Sequence, residues 1–395
     1  MRGAAPRLGD RSLFSTLEAR AYLNHAGISP LSDPVLAAVA EAAADLARRG
    51  SAGFGDWVAR REALRETLSK LVGGSARDVG FVSNTAAGLN AVAHSLALQP
   101  GDGIALFEGE YPSNVVPFLR AAEQKQLKVH WLSLEPFADP AGPDFGALEA
   151  TLARGVKLLS VSAVQFQSGL RMPLSEIAAR VHAHGGRLCV DAVQACGAVP
   201  IDVEAMGIDY LVCGGHKFMM GPDGCGFLSI RPDAMAELQP SIVGAMSYEG
   251  TMEMLMAGRG HLRYDHAPLR QPRVFETGMA GTIAFAGLAA AAELLVALGP
   301  GAILEHAIRY GDALEPGLQA RGFRSLRAPD AARRSATLAV EPPEGFEAHL
   351  LAPALGEHGV VCGSPDGRLR FSPHWPNAPT EVDAVLSAVD AVLAR

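Results

Sequence analysis

Short apolar runs alternate along most of this chain with longer stretches in which apolar residues recur every three or four positions. The runs at 79–82, 103–107, 128–132, 157–161, 188–190, 210–212 and 226–230 predict strands. The stretches 113–126 and 174–184 carry helical spacing, and the second closes at Gly185 and Gly186, a helix stop. Strand and helix alternating in this way, with strands that are nearly continuously apolar, predict a mainly parallel seven-stranded sheet covered by helices on both faces. Ligands of such sheets sit beyond the carboxyl ends of the strands. After about Leu298 the texture changes to a helix at 301–320, a strand at 336–340, an EPPEG turn, a further helix, LRFSPHWPN and a final helix from Thr380. The expected organisation is a large domain at 21–297 and a smaller α+β domain at 298–395, joined by an N-terminal arm at 1–20, with the cleft between them as the pocket. No internal repeat is present, and the Ala-rich face at 288–295 reads as core packing.

With 395 residues, 49% hydrophobic and 19% charged, the chain can bury a large core. A net charge of −8 argues against nucleic acid or an anionic membrane as a dominant partner and leaves small-molecule chemistry. The opening MRGAAPRLGDRSLF has no apolar run before a cleavage-like site, so a cytoplasmic location is expected. Five cysteines without metal-type spacing read as reduced, buried thiols. His182 and His184 do not share a helix face, which disfavours a metal pair, and no metal is expected.

Two segments bring in chemistry. Asp191 in RLCVDAVQACG and Lys217 in DYLVCGGHKFMMGPDGCG each follow a predicted strand, so their side chains emerge at neighbouring strand ends. A lysine and a carboxylate so placed suit pyridoxal 5'-phosphate: the amine binds the aldehyde as a Schiff base and then moves protons, while the carboxylate keeps the pyridine nitrogen protonated. An isolated lysine there would be a solvated surface residue, and an isolated aspartate a turn or cap. Gln194, in the same turn as Asp191, can donate to the ring phenolate oxygen, and His216 can donate to the phosphate or be a hydrogen-bonded loop histidine. In FVSNTAAGLN a helix begins near Thr85, so the N–H groups of Thr85, Ala86 and Ala87 and the Thr85 hydroxyl form an anion site; the plain alternative is a cap by Asn84 or Thr85. Tyr111, just past the strand at 103–107, can stack on the pyridine ring, and Arg370 can offer a planar fork to a substrate carboxylate. Asn24, His25, Gly27, Trp57 and Trp375 are candidates for the substrate wall. GPDGCG meets a dinucleotide pattern only superficially, because it follows the lysine loop instead of opening the first strand–helix unit.

As an ordered set, YLNHAGISPL, SNTAAGLN, GEYPSN, QFQSG, VDAVQACG, GGHKFMMGPDGCG, VFETGMAGT and LRFSPHWPN resemble the class V aminotransferase family of fold-type I pyridoxal phosphate enzymes, over nearly the whole chain. That family includes cysteine desulfurases, isopenicillin N epimerase-like proteins and kynureninase-like lyases. The resemblance implies Lys217 as the cofactor-binding lysine, Asp191 as the pyridine partner, Gln194 as the phenolate contact, Tyr111 as the stacking residue and Arg370 as the carboxylate anchor. It also implies a homodimer in which the loop at 276–282 reaches the neighbouring subunit's phosphate. The chain departs from the family's pattern with Phe166 for an asparagine, Gly214 for a phosphate-binding serine, Ala86 for a threonine and Met279 for the cross-subunit threonine, leaving Thr282 as its substitute. Desulfurases carry a thiolate on a mobile loop before the arginine, whereas GVVCGSPDGRLRF is a compressed turn with Cys362 near a strand end. The expected function is amino transfer on an amino acid or small amino compound. A C–S or C–C lyase or an epimerase is the alternative, and a non-catalytic cofactor-binding regulatory module is the reading from a different class.

Overall fold

The computed structural model describes residues 5–279 and 281–394. Its strands are β1 (Ala21–Tyr22), β2 (Val79–Val82), β3 (Gly103–Phe107), β4 (Lys128–Leu132), β5 (Val156–Ser162), β6 (Arg187–Asp191), β7 (Tyr210–Gly214), β8 (Gly226–Ile230), β9 (Arg324–Ser325), β10 (Leu338–Glu341), β11 (Val360–Val361) and β12 (Leu369–Phe371). Seven of them form one sheet in the order β2-β8-β7-β6-β5-β3-β4. The β3, β4, β5, β6 and β7 pairs are parallel, and β8 runs antiparallel to both of its neighbours.

Side chains alternate across this sheet because successive Cβ atoms leave a strand on opposite faces. Ala105, Phe107, Leu188, Val190, Leu211 and Phe227 enter one core, which also receives Leu64, Ile177 and Leu288 from helices Phe54–Val72, Leu174–Ala183 and Thr282–Leu298. Ile104, Leu106, Cys189, Val212 and Leu228 enter the other, with Leu89 and Phe118 from helices Thr85–Ser95 and Val116–Lys125. Being packed on both faces explains the unbroken apolar runs. The edge strand β4 departs from that pattern, with Lys128 and Trp131 exposed. The helix expected at 113–126 is broken, with a turn of 3-10 helix at Pro112–Asn114 followed by Val116–Lys125. Pro117, which lacks an N–H, sits in the first turn, where that donor has no intrahelical partner.

A third core gathers Tyr310, Leu314, Leu338, Val340, Leu351, Phe371 and Val385 around the antiparallel sheet β12-β10-β9. Ala21 and Leu23 belong to it as well, because β1 pairs in parallel with β11. Leu13 and Phe14, within the expected arm, pack instead in the first core, with Phe14 stacked 5.4 Å from Trp375. We propose a division near residue 298 with helix Pro300–Gln319 shared, since Ile303 and Leu304 face the first core and Leu314 and Leu318 the third. The first four residues of the arm and residue 395 lie outside the described residues. Among the described residues, no single helix is long and apolar enough to cross a membrane.

Candidate active site

Asp191 is the last residue of β6, and Lys217 follows β7 by three positions. In register Asp191 lies opposite Val212 of β7 and Ser162 of β5, so the two side chains share one rim of the sheet. Lys217 Nζ lies 5.3 Å from the centroid of the Tyr111 ring, which is 46% exposed and stands edge-on to Phe166. Burial lowers the Lys217 ammonium below the usual lysine range; Asp191 and Cys213 oppose that shift, and the nearby Arg370 charge adds to it. Burial raises the Asp191 carboxyl to about 7, opposed by the Val193 N–H at 2.9 Å and by Lys217, with the Glu110 charge adding to the rise. The site therefore holds an amine and a carboxyl whose proton affinities have been drawn toward each other, as proton-transfer chemistry near neutrality requires.

Beside this pair, helix Thr85–Ser95 packs along β7, with Gly88 against Val212 and Thr85 beside Gly214 at the strand end. The hydroxyl of Thr85 is buried without a partner. A Cβ built on Gly214 would stand 2.9 Å from that hydroxyl and 3.4 Å from His216 Nδ1, so Thr85, Gly214 and His216 enclose one small space. Contrary to the sequence expectation, Ala87 offers no free donor: its N–H is taken at 2.8 Å by the Asn84 side chain, an ordinary N-cap. The N–H groups of Thr85 and Ala86 remain at the helix start, where intrahelical partners do not exist. Thr282 is not brought to this place. It begins the helix Thr282–Leu298 and lines a cavity of about 310 Å³ with Trp57, Arg60 and Arg61. In the same loop Glu276 is tied within the chain to Arg65 and the Phe81 N–H, Met279 is exposed, and Ala280 lies outside the described residues.

Arg370 projects from β12 and is buried, with Nη1 on the Phe166 carbonyl at 2.7 Å and Nε unpartnered. Burial pulls its guanidinium down to about 10. A Cβ on Gly363 would meet Asn24 Oδ1 at 3.0 Å and Arg370 Nη2 at 3.4 Å, so a glycine there leaves room for both groups. Asn24 Oδ1 has no partner, and Gly27 is bound through its N–H to the Asn24 carbonyl. Gln194 spends one amide N–H on the Ala26 carbonyl at 3.1 Å, which leaves the other free. His25 is buried, with Nδ1 hydrogen-bonded to Ser29 at 2.7 Å and Nε2 without a partner. Two of the wall candidates are corrected. Trp57 is buried on a helix with its indole N–H on Asp45 at 3.0 Å, and Trp375 is buried against Phe14. Both tryptophans are consumed by packing against elements other than their own.

The sequence reading missed Glu110. It is buried beside the rim, where its carboxylate accepts the N–H of Ser162 at 2.7 Å, the Ser162 hydroxyl, and the Gln165 amide at 3.0 Å. Glu110 thereby holds the loop that carries Phe166 and, through the Phe166 carbonyl, Arg370. Its adjacency to Tyr111 was the available signal, but a glutamate in a loop reads as solvated until its partners are known.

These groups fit pyridoxal phosphate. A buried hydroxyl without a partner and two free helix N–H groups suit a phosphate, a poorly solvated lysine suits an aldehyde, and a buried carboxyl suits a ring nitrogen. Fold and site together define a fold-type I cofactor enzyme. The class-V aminotransferase profile matches residues 21–368, and the chain belongs to that family, whose cofactor is pyridoxal phosphate. It is 32% identical over 249 residues to a cysteine desulfurase of Serratia proteamaculans; the match covers 62% of this chain and 58% of that one. It is 26% identical to an uncharacterized aminotransferase, YcbU, of Bacillus subtilis, over 98% of this chain and 97% of that protein. In structure it resembles a cysteine desulfurase of Thermococcus onnurineus, with a TM-score of 0.86 at 23% identity and full coverage of both chains. It also resembles the cystine C-S lyase C-DES, with a TM-score of 0.83 at 22% identity, covering 95% of this chain and 98% of that one.

Proposed function

We propose that this protein uses pyridoxal phosphate to move the amino group of an amino acid or small amino compound. The observation that carries the reading is the meeting of Lys217, Asp191 and Tyr111 at one rim of the sheet, with Arg370 near enough for its charge to act on Lys217. When bound, the cofactor supplies an electron-accepting ring that stabilises negative charge at a substrate carbon. Lys217 would hold the cofactor's aldehyde, and its amine would carry the proton at the substrate Cα. Asp191 would pair with the ring nitrogen, and Tyr111 would offer its face to the ring. Thr85, Ala86 and His216 bind the phosphate; a half-buried His216 lowered by burial and by Lys217 donates one neutral N–H. Arg370 binds the substrate carboxylate beside Asn24 and Gly27. Two copies form the enzyme, with the loop at 276–282 of one copy, Thr282 included, completing the phosphate site of the other.

A second reading, elimination at a C–S or C–C bond, is favoured by the cysteine desulfurases among the relatives. Against a persulfide route stands Cys362: it is buried, its thiol is pushed up to about 12 by burial, and it lies on a short turn beside Arg370. Cys362→Ala is therefore expected to leave turnover unchanged, and a loss of sulfur release in that variant would reinstate the desulfurase route. Incubating the loaded protein with an amino-acid panel separates the two readings. Amino transfer gives a keto acid and the aminated cofactor in equal amounts, whereas elimination releases pyruvate or alanine with the cofactor unchanged.

Arg370→Met tests the anchor. Losing a bidentate charged contact, at about 1.5–3 kcal/mol per bond, is expected to lower kcat/KM for carboxylate-bearing substrates on the order of a hundredfold or more. Amines without a carboxylate should be little affected. Equal losses for both classes would remove Arg370 from substrate recognition.

A further inference from the structure

Three consecutive backbone carbonyls, those of His216, Lys217 and Phe218, are held by groups from the two ends of the chain. The Ser29 N–H donates to the His216 carbonyl at 2.8 Å, the Ser29 hydroxyl donates to the Lys217 carbonyl at 2.7 Å, and His374 Nε2 bonds the Phe218 carbonyl at 2.9 Å. All the participating side chains are buried. The tautomers follow from the partners. Trp375 donates its N–H to His374 Nδ1 at 2.7 Å, so the ring proton sits on Nε2 and points at Phe218. Ser29 spends its proton on Lys217, so its oxygen accepts from His25 Nδ1 at 2.7 Å.

The Lys217 carbonyl already accepts the Met220 N–H at 2.8 Å within its own turn, so the Ser29 bond is not needed to satisfy it. What that bond adds is orientation from outside the loop. A Cβ on Gly197 would come within 2.2 Å of the Phe218 carbonyl, so the segment after Asp191 closes on the peptide that His374 bonds. The two terminal segments are themselves joined. Ser372 donates its N–H to the Leu23 carbonyl at 2.7 Å, and the Asn377 amide donates to the Tyr22 carbonyl at 3.0 Å.

We propose that Ser29 and His374 are positioning residues: Ser29 fixes the two peptide planes that flank Lys217, His374 fixes the Phe218–Met219 plane that follows, and together they set the direction in which the Lys217 side chain leaves the backbone. His25 supports Ser29 from behind. This inference rests on Lys217 being the cofactor-binding lysine. The charged or titratable groups around Lys217 include Asp191 on β6, Cys213 on β7, Arg370 on β12, the neighbouring His216 and Tyr111, whose ring lies 5.3 Å from Nζ. Turning these peptide planes alters the distances from Nζ to these groups and so alters its proton affinity.

The test uses purified, cofactor-loaded protein carrying Ser29→Ala, His374→Leu or His374→Gln. It follows the pH midpoint of the visible absorbance of the lysine-held cofactor, together with kcat and KM. Ser29→Ala and His374→Leu are expected to move the midpoint by about half a pH unit or more. They should also lower kcat about tenfold, with KM moving far less, as misaligned reacting groups do. In His374→Gln the amide nitrogen reaches the same carbonyl and should restore both quantities. Parental midpoint and kcat in Ser29→Ala and His374→Leu would overturn the proposal, as would a His374→Gln protein that behaves like His374→Leu. If His374→Leu does not fold, Ser29→Ala decides alone, since it deletes one oxygen. Failure of the cofactor reading shows differently: the parent protein would lack a pH-dependent visible band and would gain no phosphopyridoxyl mass on Lys217 after borohydride reduction.

Discussion

Lys217→Ala is expected to lower turnover by about a thousandfold or more, because in the proposed function one side chain supplies both the covalent hold on the cofactor and the proton relay at the substrate carbon. The geometry makes substitution by a neighbour difficult. At the same rim the Asp191 carboxyl is engaged by the Val193 N–H, and His216 encloses the small space at the helix start with Thr85 and Gly214. The loss should fall on kcat, since Arg370 and the phosphate contacts are untouched. Two measurements check it. Steady-state keto-acid or pyruvate release should collapse. Borohydride reduction followed by mass spectrometry should place the phosphopyridoxyl group on Lys217 in the parent and nowhere in the variant. A variant with parental kinetics would remove Lys217 from the reaction and the proposed function with it.

Much of the large sheet is legible in the chain because each strand is packed on both faces. Runs such as VGFV in β2 and IALF in β3 contain no polar interruption that another element could claim, and their ends stand where the apolar run stops. The strand-end chemistry is legible for the same reason: once β6 and β7 are placed, Asp191 and Lys217 must share a rim. What escaped the reading depends on contacts remote in sequence. Glu110 is held by Ser162 and Gln165, more than fifty positions away. Trp57 looked like a wall residue, but its indole N–H is spent on Asp45 of the preceding helix. Ala87 shows the local counterpart, in which a cap by Asn84 and an anion site at the same helix start compete for one N–H. In each case the residue type was right for a site, and its hydrogen-bonding capacity was already committed.

Two different demands meet at Asp191, and its replacement is expected to separate them. In the proposed function Asp191→Ala removes the partner of the ring nitrogen, and turnover should fall on the order of a hundred- to a thousandfold, the range seen when one pre-aimed electrostatic group is lost. Stability should move the other way in cofactor-free protein, best read in Asp191→Asn, which keeps the shape. The folded-state carboxyl is raised to about 7 from an ordinary 3.8, so the folded chain binds this proton more tightly than the unfolded chain does. The stabilising contribution is full below the ordinary aspartate value and is lost as pH rises through the folded value. Across that window the parent should lose up to about 1.4 kcal/mol per pH unit relative to Asp191→Asn. Thermal melts of both cofactor-free proteins at pH 5 and pH 8 check the sign: the advantage of the asparagine variant should be larger at pH 8. A constant difference across that range would mean that Asp191 is charged and well solvated in the empty site, and its place opposite the ring nitrogen would lose its physical basis. The buried carboxyl that weakens the empty fold is the group a protonated ring nitrogen would relieve, so cofactor binding should flatten the pH dependence of the parent.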